Sequence, residues 1–321
     1  MPVQPNYDVA EIVQPGGRPL PADLEARIKT YFIKRDGVRL RVMLASAATD
    51  APRGSIIFSP GRTEFIEKYF ETTLDFIKRG FNVLIVDPRG QGLSDRVLPD
   101  KLKSYIDDFQ TYADDLAFAV ECFLPLLPKP HIAMGHSMGG TIVLKGILSG
   151  VLNPDAVICS APMLGLFDLE TPLMRGSIVA LGIMGMDRKN LPFQKQRNGL
   201  PVPFNSNKLT TDKERYRIWA SYFQTSPRLR VGPPTFGWIR AALRAMAQVN
   251  RNADKLQVPA LLIGAGGDPI VDPASVEKFA EKCGGTYVVV PGALHELFLE
   301  RDELRSQCFA AIDEFLETQK L

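Results

Sequence analysis

Cysteine is scarce in this sequence. Cys122, Cys159, Cys283 and Cys308 stand far apart with no C-x-x-C spacing, which argues against a disulfide framework or a cysteine zinc site and suits a reducing compartment. Net charge is small as well: 38 Lys and Arg against 36 Asp and Glu leave +2, so overall charge gives no reason to expect a nucleic-acid partner. The N-terminal MPVQPNYDVAEIVQPGGRPLP lacks the basic and apolar regions of a signal peptide, so export is not expected and a cytoplasmic location is. Long apolar runs are also missing. The most apolar window of the middle, LMRGSIVALGIMGM from Leu173 to Met186, contains Arg175 and falls short of the roughly 18 apolar residues of a spanning helix. There is no internal repeat or low-complexity tract, and neither a metal nor a cofactor is expected.

What the sequence does have is alternation. Residues from about Thr30 to Ser46 read as two strands joined at Asp36-Gly37, a dipeptide suited to a tight hairpin turn. SIIFS (Ser55 to Ser59), FNVLIVD (Phe81 to Asp87), Ile132 to Met134, Ala156 to Ser160, ALLIG (Ala260 to Gly264) and Thr286 to Val290 are short apolar runs, as expected of strands buried on both faces. Helical spacing fills the gaps: Phe65 to Lys78, Phe109 to Phe123, Gly139 to Leu148, Pro273 to Lys282 and Leu297 to Thr318. Strand and helix in turn imply right-handed crossovers and a mostly parallel sheet with helices on both faces. The rhythm breaks once, in an irregular insertion. The expected organisation is an N-terminal extension over 1–29, a core over 30–164 and 256–321, and an insertion over 165–255.

Within HIAMGHSMGGTIVLKG, Ser137 is flanked by Gly135 and Gly139. A strand turning at once into a helix, with one side chain held out at the sheet's top edge, needs close backbone approach, and glycines two residues either side permit it. This G-x-S-x-G elbow exposes a nucleophilic Ser137 Oγ and aims the N–H of Met138 at a reacting carbonyl oxygen. A serine needs a base. Of the three histidines, His131 lies at the strand's far end and His136 should point away from the Ser137 hydroxyl, which leaves His295 in VVVPGALHELFLE. The acid should follow the preceding strand. Asp268 stands in a Gly/Pro loop there, whereas Asp272 fits better as the N-cap of the helix opening at Pro273. The second oxyanion donor is expected from the loop SPGRTEF, at the N–H of Arg62. The Arg62 and Glu64 side chains are open candidates for the pocket.

These residues belong to longer marks: SPGRTEFIEKY (Ser59 to Tyr69), DPRGQGLSD (Asp87 to Asp95), GHSMGG (Gly135 to Gly140), NKLTTDKERY (Asn207 to Tyr216), GGD ending at Asp268 and LHE around His295. Over roughly Phe32 to Leu316 the chain resembles α/β-hydrolases of the lysophospholipase L2 and monoacylglycerol lipase group. The resemblance implies the α/β-hydrolase fold with an inserted cap. It also implies Ser137 as nucleophile, Asp268 as acid, His295 as base, and an oxyanion hole at Arg62 and Met138. One departure is that Pro60-Gly61-Arg62-Thr63 stands where monoacylglycerol lipases carry an H-G-x-G type loop, which favours another ester.

Between Gly165 and Lys255 there are 15 Lys and Arg against 6 Asp and Glu, so the insertion carries +9 and the rest of the chain −7. Tyr216, Trp219, Tyr222, Phe223, Phe236 and Trp238 lie in the same segment. A basic and apolar cap suits an acyl chain with a phosphate; the plainer alternatives are a solvated basic face and a small core of the cap's own. The expected activity is hydrolysis of carboxylic esters through an acyl-enzyme, on a lysophospholipid or related lipid ester. Peripheral contact with a membrane surface stays open and oligomeric state is not readable. A short-chain carboxylesterase, a peptidase with the same triad, and a ligand-binding protein without turnover are the alternatives.

Overall fold

Alternate residues of a strand face opposite sides, and in the central strands of this chain both sides are apolar. Ile56 and Phe58 belong to one buried cluster and Ile57 to the other; Ile132 and Met134 pack with the first, Ala133 with the second. The computed structural model describes residues 7–14, 20–167, 176, 185–190 and 198–321. Its strands are β1 (Asp8–Val9), β2 (Ile28–Arg35), β3 (Val38–Ala45), β4 (Gly54–Ser59), β5 (Phe81–Val86), β6 (His131–His136), β7 (Ala156–Ser160), β8 (Ala260–Ala265) and β9 (Thr286–Val290). They form one sheet in the order β1-β2-β3-β5-β4-β6-β7-β8-β9. Pairing is antiparallel from β1 to β5 and parallel from β5 to β9. The hairpin turns at Asp36-Gly37, both at positive φ. This is the α/β-hydrolase fold.

Helices among the described residues include α1 (Ala22–Glu25), α2 (Phe70–Lys78), α3 (Gln110–Phe123), α4 (Met138–Leu148), α5 (Lys213–Thr225), α6 (Phe236–Arg251), α7 (Pro273–Cys283) and α8 (Asp302–Thr318). Phe76 of α2 and Phe309 and Phe315 of α8 cover one face of the sheet; Tyr112 of α3, Ile142 of α4 and Phe279 of α7 cover the other. Two expected helices begin differently. The apolar spacing from Phe65 opens as a 3-10 turn, Ile66–Tyr69, before α2. The run from Leu297 is likewise a 3-10 turn, Leu297–Leu299, cut off from α8 because Glu300 sits at φ −72°, ψ 165°. That carboxylate accepts from the N–H groups of Leu294 and Thr211, contacts that helical periodicity does not reveal.

Between β7 and β8 the chain leaves the sheet. Tyr216, Trp219, Tyr222 and Phe223 of α5 bury themselves with Phe65 and Leu229 in a separate small core, so these aromatics serve packing. Helix α6 differs: Phe236, Trp238, Ala241 and Ala245 join the main core. Most of Leu173 to Met186, the most apolar window of the middle, lies outside the described residues. Among the described residues no helix is long and apolar enough to cross a membrane.

Candidate active site

The elbow explains its glycines. At the end of β6, Ser137 adopts φ 53°, ψ −118°, a conformation costing about 1–3 kcal/mol that persists only where the surroundings enforce it. Its N–H donates to the Ser160 carbonyl of β7 at 3.0 Å, and its own carbonyl accepts from the N–H groups of Gly140 and Met163. A Cβ on Gly139 would lie 1.9 Å from the Ser59 carbonyl oxygen, and one on Gly135 would lie 2.4 Å from the Gly139 oxygen. Any side chain at either position would push α4 away from β4 or open the turn.

Three side chains from separate loops converge at this edge. His295 Nε2 lies 2.9 Å from Ser137 Oγ, and His295 Nδ1 lies 2.6 Å from Asp268 Oδ2. A carboxylate only accepts, so Nδ1 carries the proton and Nε2 is left to accept from the Ser137 hydroxyl. The other oxygen of Asp268 is held by the N–H groups of Ile270 and Val271 at 2.8 and 3.1 Å. All three residues are buried. Asp272 is elsewhere occupied: its side chain accepts from Ala274 N–H at 3.0 Å and from Ser275 Oγ at 2.7 Å, capping α7.

The loop after β4 is fixed on several sides. Thr63, at φ 64°, donates its N–H to Gln91 Oε1 at 2.9 Å, and Gln91 Nε2 donates to the Gly61 carbonyl at 3.0 Å. The N–H of Gly61 donates to Glu64. Gln91 comes from the DPRGQGLSD stretch, whose Asp87 is itself a structural hub. It accepts from Ile66 N–H, Leu93 N–H and Arg41 Nε at 2.7–2.9 Å. Gly92 is required there because a Cβ would fall 2.0 Å from the Asp87 carboxylate. Met138 is the first residue of α4, where an N–H has no intrahelical acceptor. The Arg62 side chain leaves the loop toward the insertion, where it donates to the Gly232 carbonyl and stacks 5.3 Å from the Trp238 ring centre.

Sequence reasoning missed what lies behind the triad. Lys68 Nζ sits 2.8 Å from Glu64 Oε1 and bonds Glu296. His136 Nε2 lies 3.1 Å from Glu296 Oε2, and its ring centre is 4.9 Å from that of His295. Tyr69 Oη donates to Glu64. All five residues are buried. Burial opposes charge on Glu296, but the Lys68 ammonium and His136 outweigh it and hold this carboxyl well below the ordinary range. Burial together with the neighbouring Glu296 pushes Glu64 up. His136 loses from burial and gains more from Glu296 and Glu64, ending above its ordinary value. The signal was adjacency: His136 precedes Ser137 and Glu296 follows His295, each facing back where its neighbour faces out.

Glu64, His136 and Glu296 bring possible metal-ligating atoms within 4.8 Å of one another, the one such group among the described residues. The Lys68 ammonium already bonds both carboxylates there, so the cluster's cation is an amino-acid side chain.

Residues 50–302 match a family described as serine aminopeptidase, S33. The lysophospholipase L2 of Escherichia coli is 33% identical to this chain over 277 residues, 81% of this chain and 79% of that protein. A monoacylglycerol lipase of Mycolicibacterium smegmatis is 27% identical over 286 residues, 86% and 93% of the two chains. Among solved structures, a soluble variant of Saccharomyces cerevisiae monoglyceride lipase, crystallised with a substrate analogue, superposes with a TM-score of 0.74 at 21% identity, covering 94% of this chain and 99% of that one. A carboxyl esterase of Bacillus coagulans gives 0.73 at 17% identity, covering 92% and 99%.

Proposed function

Since the chain belongs to the serine aminopeptidase S33 family of α/β-hydrolases, we propose that it hydrolyses single-chain lipid esters, lysophospholipids foremost, with Ser137, His295 and Asp268 as its triad. The observation that carries this reading is the hydrogen-bonded line Ser137, His295, Asp268 at 2.9 and 2.6 Å. His295 Nε2 takes the Ser137 hydroxyl proton as Oγ attacks the ester carbonyl. The oxyanion is held by the N–H groups of Arg62 and Met138, the latter at the positive end of α4. Collapse breaks the ester C–O bond, and His295 Nε2–H gives its proton to the leaving alkoxide. Water, deprotonated by the same imidazole, then releases the fatty acid and restores Ser137.

The basic insertion over 165–255 acts as the cap of this site. In this reading it meets anionic headgroups from the cytoplasmic side in peripheral contact with the membrane. The family's description raises aminopeptidase activity as a second reading, which would need a free carboxylate to hold a substrate ammonium. Glu64 and Glu296, the carboxylates packed behind the triad, are committed to Lys68, which favours esters.

Fluorophosphonate labelling of wild type, Ser137→Ala and His295→Ala, with fatty-acid release from a lysophospholipid panel, tests the reading. Labelling lost in both variants and rapid release by wild type are expected. An unlabelled wild type, or one that cleaves aminoacyl amides in preference to every lipid ester, would refute it.

A further inference from the structure

Among the described residues, several buried or half-buried cations around this site come with carboxylates. Arg41 lies 2.7 Å from both Glu67 and Asp87, Lys68 bonds Glu64 and Glu296, and Arg89 lies 2.7 Å from Asp115. Arg62 and Arg96 have no such partner among the described residues. Arg62 is half-buried, its Nε is enclosed with no hydrogen-bond partner, and its other contacts are the neutral Gly232 carbonyl and the face of Trp238. Arg96 donates to the Arg228 and Arg230 carbonyls, and its Nη1 is likewise enclosed and unpartnered. Both guanidiniums therefore rest on one short stretch of the insertion, residues 228–232. Burial pushes each down to about 10, offset only in part by Tyr112 for Arg62 and by Asp87 for Arg96. Leaving a buried charge unpaired is costly, and a paired anion removes that cost.

We propose that Arg62, seconded by Arg96, binds the phosphate of the substrate's headgroup and thereby selects phosphate-bearing lysolipids over neutral monoacylglycerols. This deepens the lipid-esterase reading and rests on it. The chemistry of the two molecules matches in length. The same number of covalent bonds separates an arginine's amide nitrogen from its guanidinium carbon as separates the ester carbonyl carbon from the phosphorus of a 1-acylglycerol 3-phosphate. One residue can thus hold the oxyanion with its backbone and reach the phosphate with its side chain. Guanidinium and phosphate pair through two parallel N–H···O bonds. A phosphate oxygen would replace the Gly232 carbonyl as acceptor, and Trp238 would keep the guanidinium plane oriented.

The test compares wild type, Arg62→Met and Arg62→Lys, each first checked for an unchanged melting transition. The readout is the ratio of kcat/KM on 1-acyl-lysophosphatidate to that on the matching 1-monoacylglycerol. The expected result is a ratio that falls by about 10–100-fold in Arg62→Met and by less in Arg62→Lys, the range for losing a charge-assisted bidentate contact. A ratio that stays within about threefold of wild type, with both substrates lost alike, would overturn the proposal and leave Arg62 a loop anchor. Calorimetric titration of hexyl phosphate and of inorganic phosphate gives an answer independent of turnover. Hexyl phosphate bound by wild type and lost in Arg62→Met supports the site even if wild type cleaves neither lipid, an outcome that would sink the esterase reading alone. Inorganic phosphate bound as tightly as hexyl phosphate would assign the site to the free ion and overturn the headgroup role.

Discussion

Two charged clusters lie back to back at the top edge of the sheet, interleaved along the chain. His136 and Ser137 are consecutive, as are His295 and Glu296, yet Ser137 and His295 meet Asp268 while His136 and Glu296 meet Lys68 and Glu64. The front cluster is a line with one end free: Ser137 Oγ donates to His295 and has further lone pairs for chemistry. The rear cluster is closed, each charge facing an opposite one. In the proposed mechanism the front does the chemistry because its last member is not fully satisfied, and the paired charges of the rear hold their loops in place. The rear also spans the loops that chemistry needs, since Glu64 accepts from Gly61 N–H in the proposed oxyanion loop and Glu296 sits beside the base.

If that division is right, breaking the front should abolish turnover and spare the fold. For Ser137→Ala we expect kcat to fall by at least about 10^4-fold, and for Asp268→Asn by about 10^4-fold through loss of the productive His295 tautomer. The unfolding free energy of Ser137→Ala should change by no more than about 1 kcal/mol. Steady-state kinetics on a lysophospholipid beside urea melts would check both. A Ser137→Ala variant that retains a tenth of wild-type activity would remove the front cluster from the mechanism.

Breaking the rear should do the reverse. Lys68→Met strands two buried carboxylates, and Glu296→Gln leaves Lys68 and His136 short of an anion. Removing one partner of a buried pair costs about 3–5 kcal/mol. The double variant should lose less than the sum of the two, because each single change strands what the other removes. Activity should fall through loosening of the Gly61 loop, by a smaller factor than in the front variants. If Lys68→Met melts like wild type, the rear cluster contributes nothing to stability and the comparison collapses.

The same cluster gives a pH signature. Glu296 is depressed, so its contribution is complete above the ordinary carboxylate value of about 4.3 and disappears as pH falls through the lower folded value. His136 is raised, so its contribution is complete below about 6.5 and disappears as pH rises through the higher folded value. The stability gap between wild type and Glu296→Gln should therefore be widest between about pH 5 and 6.5 and narrow on either side. Melts from below to above that range in one buffer series would show it; a gap that grows steadily toward alkaline pH would contradict the pairing of His136 with Glu296.

How much of this was legible beforehand follows the same division. Ser137 and its glycines announce themselves locally, because the backbone constraint acts within five residues, and His295 stands out because the other two histidines, His131 and His136, lie in the run before Ser137. The strands were legible because alternating faces are both apolar. Lys68, Glu64 and Glu296 were not: a lysine and two glutamates in amphipathic surroundings look like solvated surface, and only the folded sheet brings Lys68 and Glu296 together across 228 positions. The insertion's aromatics left two readings open, available apolar surface or a small core of the cap's own, and for Tyr222 and Phe223 the choice falls to packing because Phe65 from the core loop lies 5.4 Å from each ring.

The finest test separates two aspartates four positions apart. Asp268 and Asp272 share one loop, and both accept backbone N–H groups, Asp268 from Ile270 and Val271 and Asp272 from Ala274. What distinguishes them is the second oxygen, which in Asp268 meets His295 and in Asp272 meets Ser275 Oγ. Asp272→Ala should therefore cost about 1 kcal/mol, the ordinary loss of a helix N-cap, with kcat close to wild type. Asp268→Asn keeps one oxygen to accept from Ile270 and Val271 but turns an amide NH2 donor, in place of the charged acceptor, toward His295 Nδ1. The two variants should then fall on opposite axes of a plot of stability against kcat, and Asp272→Ala losing turnover in proportion to Asp268→Asn would mean that the loop, rather than the carboxylate, orients His295.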